Sequence, residues 1–214
     1  MSALVINEIF HSIQGESTHA GRPCVFVRLT ACDLRCSWCD TEYAFHEGKK
    51  RDLDEIVQEV LDYRCDLVEV TGGEPLLQSA VHELMARLLD LGKTVMLETG
   101  GHRDISAVDP RVHRIVDVKL PSSGESHRVR VENFPLLGER DELKFVVQDR
   151  VDFDQALELI ERHGLAERCP LLFSPVSGVI EPAELADWLL ASGLRARLQL
   201  QLHKLLWPEA LRGV

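Results

Sequence analysis

Seven short apolar runs, at residues 25–29, 67–70, 94–98, 115–120, 143–147, 171–173 and 198–202, alternate with amphipathic stretches along most of the chain. Most are continuous runs rather than strict alternations, as expected of strands covered on both faces. Leu53, Ile56, Val57, Val60 and Leu61 form one helical stripe, with Asp52 and Glu55 spaced for a capping box. Val81, Leu84, Met85, Leu88 and Leu91 form a second stripe, beginning near Ser79 and stopped by Gly92. Phe153, Ala156, Leu157 and Ile160 form a third that ends before Gly164, and a fourth opens at Pro182 and closes before Gly193. Repeated βα units with right-handed crossovers give either an open doubly wound sheet or a barrel. The strands are too few to close an eightfold barrel. The pattern therefore predicts an α/β fold, a partial (β/α) barrel of about six mostly parallel strands, in a single domain spanning residues 1–214. Such sheets bind their ligands at the carboxyl ends of the strands.

Composition narrows the setting. Hydrophobic residues make up 45% and charged residues 28%, an ordinary globular mixture, and no apolar run approaches the ~20 residues a membrane-spanning helix needs. The first residues carry no basic leader ahead of a long apolar stretch, so the chain is expected in the cytoplasm. A formal net charge of −11 argues against a nucleic-acid surface. The alternation Arg128-Val129-Arg130-Val131 reads as a solvated edge.

Loop 30–41 carries Cys32, Cys36 and Cys39, spaced Cys-x3-Cys-x2-Cys. An electron-transfer iron–sulfur cluster normally takes four protein thiolates, so three leave one iron open to a small molecule. A structural zinc site prefers two Cys-x-x-Cys hooks or a hook with a histidine pair, and this chain has neither. Cys24, Cys65 and Cys169 stand alone among apolar neighbours and read as core side chains, and a disulfide framework is disfavoured.

Polar residues recur where the strands end. Just before the first strand, Gln14-Gly15-Glu16 is a polar turn in which a glycine admits close backbone approach. Arg28 interrupts an apolar strand, so it is either half of an internal ion pair or a fork for an anionic ligand group. Thr71-Gly72-Gly73-Glu74-Pro75 follows the next strand, with bare backbone for a pocket wall and Glu74 able to accept from an ammonium. Glu98-Thr99-Gly100-Gly101 ends another strand. Asp117 and Lys119, which share a face, end the next, and Ser174 ends a later one.

The cysteine spacing, with Trp38 just before the third thiol, identifies the chain as a member of the radical S-adenosylmethionine (SAM) superfamily. The combination of GlnGlyGlu near the start, Arg28, CysAspThr at the cluster, ThrGlyGlyGluPro, GluThrGlyGly and a late GlnLeuHisLys resembles the 7-carboxy-7-deazaguanine synthase family over nearly the whole chain. That resemblance implies a modified, reduced radical SAM core and a 4Fe-4S cluster on Cys32, Cys36 and Cys39. It implies SAM held by Trp38, Asp40, Gly73, Glu74, Glu98, Asp117, Val118, Lys119 and Ser174, and magnesium (Mg2+) bound through Thr41. It further implies a small-molecule pterin substrate met by Ile13, Gln14, Gly15, Glu16, Arg28, Thr71 and His203. Arg28 takes the substrate carboxylate in that scheme, and Glu16 and His203 are candidates for proton transfer. Some relatives carry SerProLys in place of Asp117-Val118-Lys119, and a glutamine in place of Ser174. The implied reaction is the ring contraction of 6-carboxy-5,6,7,8-tetrahydropterin with loss of ammonia, in queuosine and other 7-deazapurine biosynthesis. The implied partners are a reductant such as flavodoxin and a second copy in a homodimer. Two rivals share parts of the pattern: a radical SAM activating enzyme that makes a glycyl radical on a partner protein, and a non-enzymatic iron–sulfur or zinc module.

Overall fold

The computed structural model describes residues 2–214, which build one open nine-stranded sheet. In chain order its strands are β1 (Ala3–Ile13), β2 (Pro23–Leu29), β3 (Lys49–Asp52), β4 (Leu67–Gly72), β5 (Thr94–Thr99), β6 (His113–Val118), β7 (Glu142–Val147), β8 (Leu171–Pro175) and β9 (Arg197–Leu198). Their order across the sheet is β3-β1-β2-β4-β5-β6-β7-β8-β9. Every pairing from β2 to β9 is parallel, while β1 runs antiparallel to both β2 and β3. The helices are α1 (Leu53–Asp62), α2 (Val81–Asp90), α3 (Arg150–His163), α4 (Pro182–Ser192) and α5 (Leu202–Leu206). Among the described residues no helix is long and apolar enough to cross a membrane.

Each parallel strand sorts its side chains by parity. Val25, Val27 and Leu29, Val68 and Val70, Val95 and Leu97, Leu143, Phe145 and Val147, and Leu171 and Phe173 join one buried apolar cluster with the stripes of the helices. Phe153 of α3 packs at a tilt against Phe173, for example, with ring centroids 5.6 Å apart. The intervening positions face the concave side and turn polar toward the strand ends: Arg28, Thr71, Glu98, Asp117 and Lys144. Removing several large apolar side chains from water on the first face supplies most of the driving force, at about 1.5–3 kcal/mol each. The second face is thereby free to carry chemistry.

The helices match the sequence pattern closely. Gly164 and Gly193 end α3 and α4 with φ of 60° and 66°, a left-handed conformation that suits glycine, and Pro182 opens α4. Three expectations need correction. Asp52 does precede α1, but its side chain makes no capping hydrogen bond, so there is no capping box. Residues 198–202 are not a strand: pairing stops at Leu198 and α5 begins at Leu202. Leu205, Leu206 and Trp207 lie exposed. Arg128 is not part of a solvated edge, because it reaches Asp33 at 2.7 Å, whereas Arg130 stays partly exposed in a 3.7 Å pair with Asp104.

Candidate active site

The strand ends enclose a cavity of about 560 Å³. Cys32, Cys36 and Cys39 all line it, each a free and partly buried thiol, on the loop that leaves β2. Three thiols on one wall of a cavity are the donor set of a cluster with one open position, so the residues present fit a 4Fe-4S cluster.

That loop is pinned from three sides. Asp33 accepts from His102 at 2.7 Å, Arg103 at 2.6 Å and Arg128 at 2.7 Å, and these partners outweigh burial and hold its carboxyl well below the usual range. Backbone N–H groups of Arg35 and Ser37 donate to Glu125 Oε1 and the Ser123 carbonyl. Behind the loop lies the turn after β4, where Gly73 N donates to Leu29 O and Glu74 N to Ala31 O. A Cβ on Gly73 would overlap the Ala31 carbonyl oxygen and come within 2.8 Å of Cys32 Cβ. Gly73→Ala must therefore push the cysteine loop outward. A loss of activity of about a hundredfold is expected, because misplacing a bound reactant by roughly 1 Å has that effect. Cluster content per chain and turnover, measured together, would show it, and activity near the parent value would refute the close-packing account.

Glu74 is fully buried and serves this turn rather than the cavity. Thr99 Oγ1 donates to it at 2.9 Å, Gly100 N at 2.9 Å and Leu76 N at 3.0 Å. Val118 and Ser174 also fall outside the cavity lining, Val118 because it sits on the helix-facing side of β6. Ser174 Oγ accepts from Gln199 Nε2 at 3.3 Å. The other sequence-predicted residues, Ile13, Gln14, Gly15, Glu16, Arg28, Trp38, Asp40, Thr41, Thr71, Gly73, Glu98, Asp117, Lys119 and His203, meet at this one cavity.

A buried charge network spans it. Lys144 Nζ donates to Glu16 Oε2 at 2.9 Å and to Glu98, and stands 4.0 Å from Asp117 Oδ2. Burial alone would depress its pKa, but Glu16, Glu98 and Asp117 hold it well above the usual lysine value. Lys119 pairs with Asp117 at 2.7 Å and lies 4.9 Å from the Trp38 ring centroid. Glu69, enclosed beside Gln14, is driven well above the usual carboxylate range by burial and by the neighbouring charge of Glu98. Asp117 Oδ1 is buried with no partner and remains an open acceptor.

Segment 199–204 completes the cavity against the turn after β1. Leu202 N donates to Gly15 O at 3.1 Å, Gln201 Nε2 to Glu16 Oε1 at 2.7 Å, and Gln199 Oε1 accepts from Ser17 N at 2.6 Å. Gly15 has to be glycine here, since a Cβ would stand 2.5 Å from His203 Nδ1. Lys204 pairs with Asp40 at 2.9 Å, so the same segment touches the cysteine loop. Burial pushes the His203 imidazole below its usual pKa and favours the neutral ring.

Lys144, Glu69, Gln199 and Gln201 went unassigned in the sequence. The first two carried a signal, being charged residues on the inward parity of otherwise apolar strands, the same signal that singled out Arg28.

The description "Radical SAM superfamily" matches residues 27–164. The 7-carboxy-7-deazaguanine synthase of Chlorobaculum tepidum is 48% identical over 99% of this chain and 97% of its own length. The enzyme of the same name from Koribacter versatilis is 45% identical over 98% and 99%. The crystal structure of QueE from Escherichia coli superposes with a TM-score of 0.78 at 23% identity, covering 93% of this chain and 94% of that one.

Proposed function

The chain belongs to the radical SAM superfamily and, within it, to the 7-carboxy-7-deazaguanine synthases, and from that premise we propose how its residues divide the work. It is a radical SAM lyase that converts 6-carboxy-5,6,7,8-tetrahydropterin to 7-carboxy-7-deazaguanine with loss of ammonia, a step of 7-deazapurine (queuosine) biosynthesis. Bound to the protein, a 4Fe-4S cluster and SAM supply the radical that removes a hydrogen atom from the pterin. The polypeptide then has to bind, orient and shield.

Cys32, Cys36 and Cys39 hold the cluster in this reading, and the bare backbone at Gly72 and Gly73 accepts the methionine end of SAM beside it. Asp117 Oδ1, buried and unpartnered, is an acceptor suited to a ribose hydroxyl, and Trp38 with Lys119 forms the adjoining wall. Asp117 would do this work without the serine some relatives carry there. Glu74, by contrast, acts through the turn it braces and not by touching SAM. On the substrate side, Arg28 takes the carboxylate, and Ile13, Gln14 and Gly15 present the turn that meets the pterin ring. Thr71 and Glu98 stand between the two ligands, joined by a 3.3 Å hydrogen bond. Thr41 offers a hydroxyl beside Asp40 at the cavity wall, a fit for Mg2+ that keeps most of its waters. His203, neutral and facing the cavity, is the group placed to accept a proton, with Lys144 and Glu16 fixing the polar floor.

Residues 1–214 form one such unit in this proposal, working in the cytoplasm, which suits an oxygen-sensitive cluster. A flavodoxin-like donor would reach the cluster past the exposed Arg35 and Ser37. A second copy would cover the exposed Leu205, Leu206 and Trp207.

The observation that carries the reading is that the three thiols, Arg28 and the Gly72–Gly73 backbone share one cavity. The test is anaerobic turnover of the reduced, cluster-loaded protein with SAM and the carboxypterin. A new deazapurine chromophore and one ammonia per product are expected. SAM cleavage with no deazapurine would overturn it.

A further inference from the structure

Resting on the reading of Arg28 as the carboxylate site, we propose that Glu8 is a positioning residue that fixes the direction from which the substrate carboxylate meets Arg28. Nothing in the sequence motifs marks Glu8, and its place depends on an irregularity in β1. The register of β1 against β2 slips between Ile6 and Glu8. Before the slip, Ile6 opposes Leu29, and both are buried on the helix-facing side. After it, Glu8 opposes Arg28 and Phe10 opposes Phe26, all of which belong to the concave side. In an unbroken strand Ile6 and Glu8 would share a face. The bulge moves Glu8 across the sheet, which is how bulges re-aim side chains near functional sites.

Once there, Glu8 Oε1 accepts from Arg28 Nε at 2.8 Å and from Tyr43 Oη at 2.8 Å. The Phe10 and Tyr43 rings lie 5.7 and 5.9 Å from the guanidinium carbon. A guanidinium can take a carboxylate side-on, through Nε and one Nη, or end-on, through both Nη groups. Glu8 occupies Nε and so closes the side-on mode. The two Nη groups have no protein partner among the described residues and remain for a ligand in the cavity. The substrate carboxylate must then approach along the axis of the side chain, which orients the rest of the ring. Tyr43 belongs to the turn Glu42–Phe45 that follows the cysteine loop, so one carboxylate ties the substrate fork to the segment beside the cluster.

Two variants separate orientation from charge. Glu8→Ala removes the acceptor, and Glu8→Gln keeps an acceptor oxygen while discarding the charge. In the cluster-loaded enzyme, Glu8→Ala should raise KM for the carboxypterin about tenfold or more with kcat changed less than about threefold, while Glu8→Gln stays within about threefold on both. The inhibition constant of a tetrahydropterin lacking the carboxyl group should be unchanged by either. The proposal is overturned if Glu8→Ala leaves KM alone, or if it weakens the carboxyl-free pterin equally, since a merely structural role does that. Arg28→Ala tells the two readings apart. If it leaves KM unaltered, the carboxylate site itself is wrong. If it raises KM and Glu8→Ala does not, only the positioning role fails.

Discussion

Cys36→Ala abolishes the visible iron–sulfur absorbance of the anaerobically reconstituted protein and with it all turnover, whereas Cys169→Ala preserves both. Each cysteine is weakly acidic, because burial pushes the Cys36 thiol to about 11 and the Cys169 thiol to about 12. Acidity therefore does not distinguish them, and placement does. Cys36 opens on the cavity with Cys32 and Cys39, while Cys169 is buried in the apolar cluster at the foot of β8. A bound metal takes the thiolate form, so iron draws out the proton wherever three sulfurs can reach it together. With one of the three gone, the remaining two cannot hold the cluster against loss. Absorbance, iron per chain and product formation on the two variants check this. Full iron content in Cys36→Ala, or its loss in Cys169→Ala, reassigns the centre.

Lys144→Met has the next largest effect. The side chain is 7% exposed and neutralises Glu16 and Glu98, with Asp117 4.0 Å away. Methionine keeps the unbranched stem as far as Cε but leaves those carboxylates without their shared cation. Breaking a buried pair by deleting one partner costs about 3–5 kcal/mol. For a chain of this size that lowers Tm by roughly 6–20 °C. Activity should fall at least about a hundredfold even where the protein stays folded, because Glu16 also holds Gln201 and Glu98 also holds Thr71. Thermal unfolding and kcat/KM measure the two losses separately. Arg162→Met is the control, since the Arg162–Glu158 pair lies on the exposed face of α3 and changes stability by less than about 1 kcal/mol. Equal behaviour of the two variants would remove Lys144 from the site.

The parallel strands were legible through their short apolar runs, although only the helix-facing side is predominantly apolar, and the helices because their stripes and terminal glycines agree. What escaped has particular causes. β1 carries the bulge before Glu8, which breaks its alternation halfway along. β3 is built of Lys49, Lys50, Arg51 and Asp52, charges suited to an edge strand and invisible to any apolar pattern. Residues 198–202 misled through their leucines. The alternation is real, but its glutamine side faces inward: Gln199 is buried against Ser17, Glu16 and Ser174 while Leu198 is exposed. An apolar-in rule fails beside a polar cavity. The cavity itself was legible through its motifs at most strand ends. At Lys144 and Glu69 the signal was a single charged residue inside an apolar strand, which reads as an oddity until the sheet gives it neighbours.

The bonds that shut the cavity join residues 182, 183 and 185 positions apart, from Ser17 and Glu16 to Gln199 and Gln201. Contacts so distant along the chain form late, after the loops between them have been closed. During synthesis the cysteine loop emerges long before its lid. A partly made chain therefore carries the thiols without the chamber, and a radical generated there would have no enclosed substrate to attack.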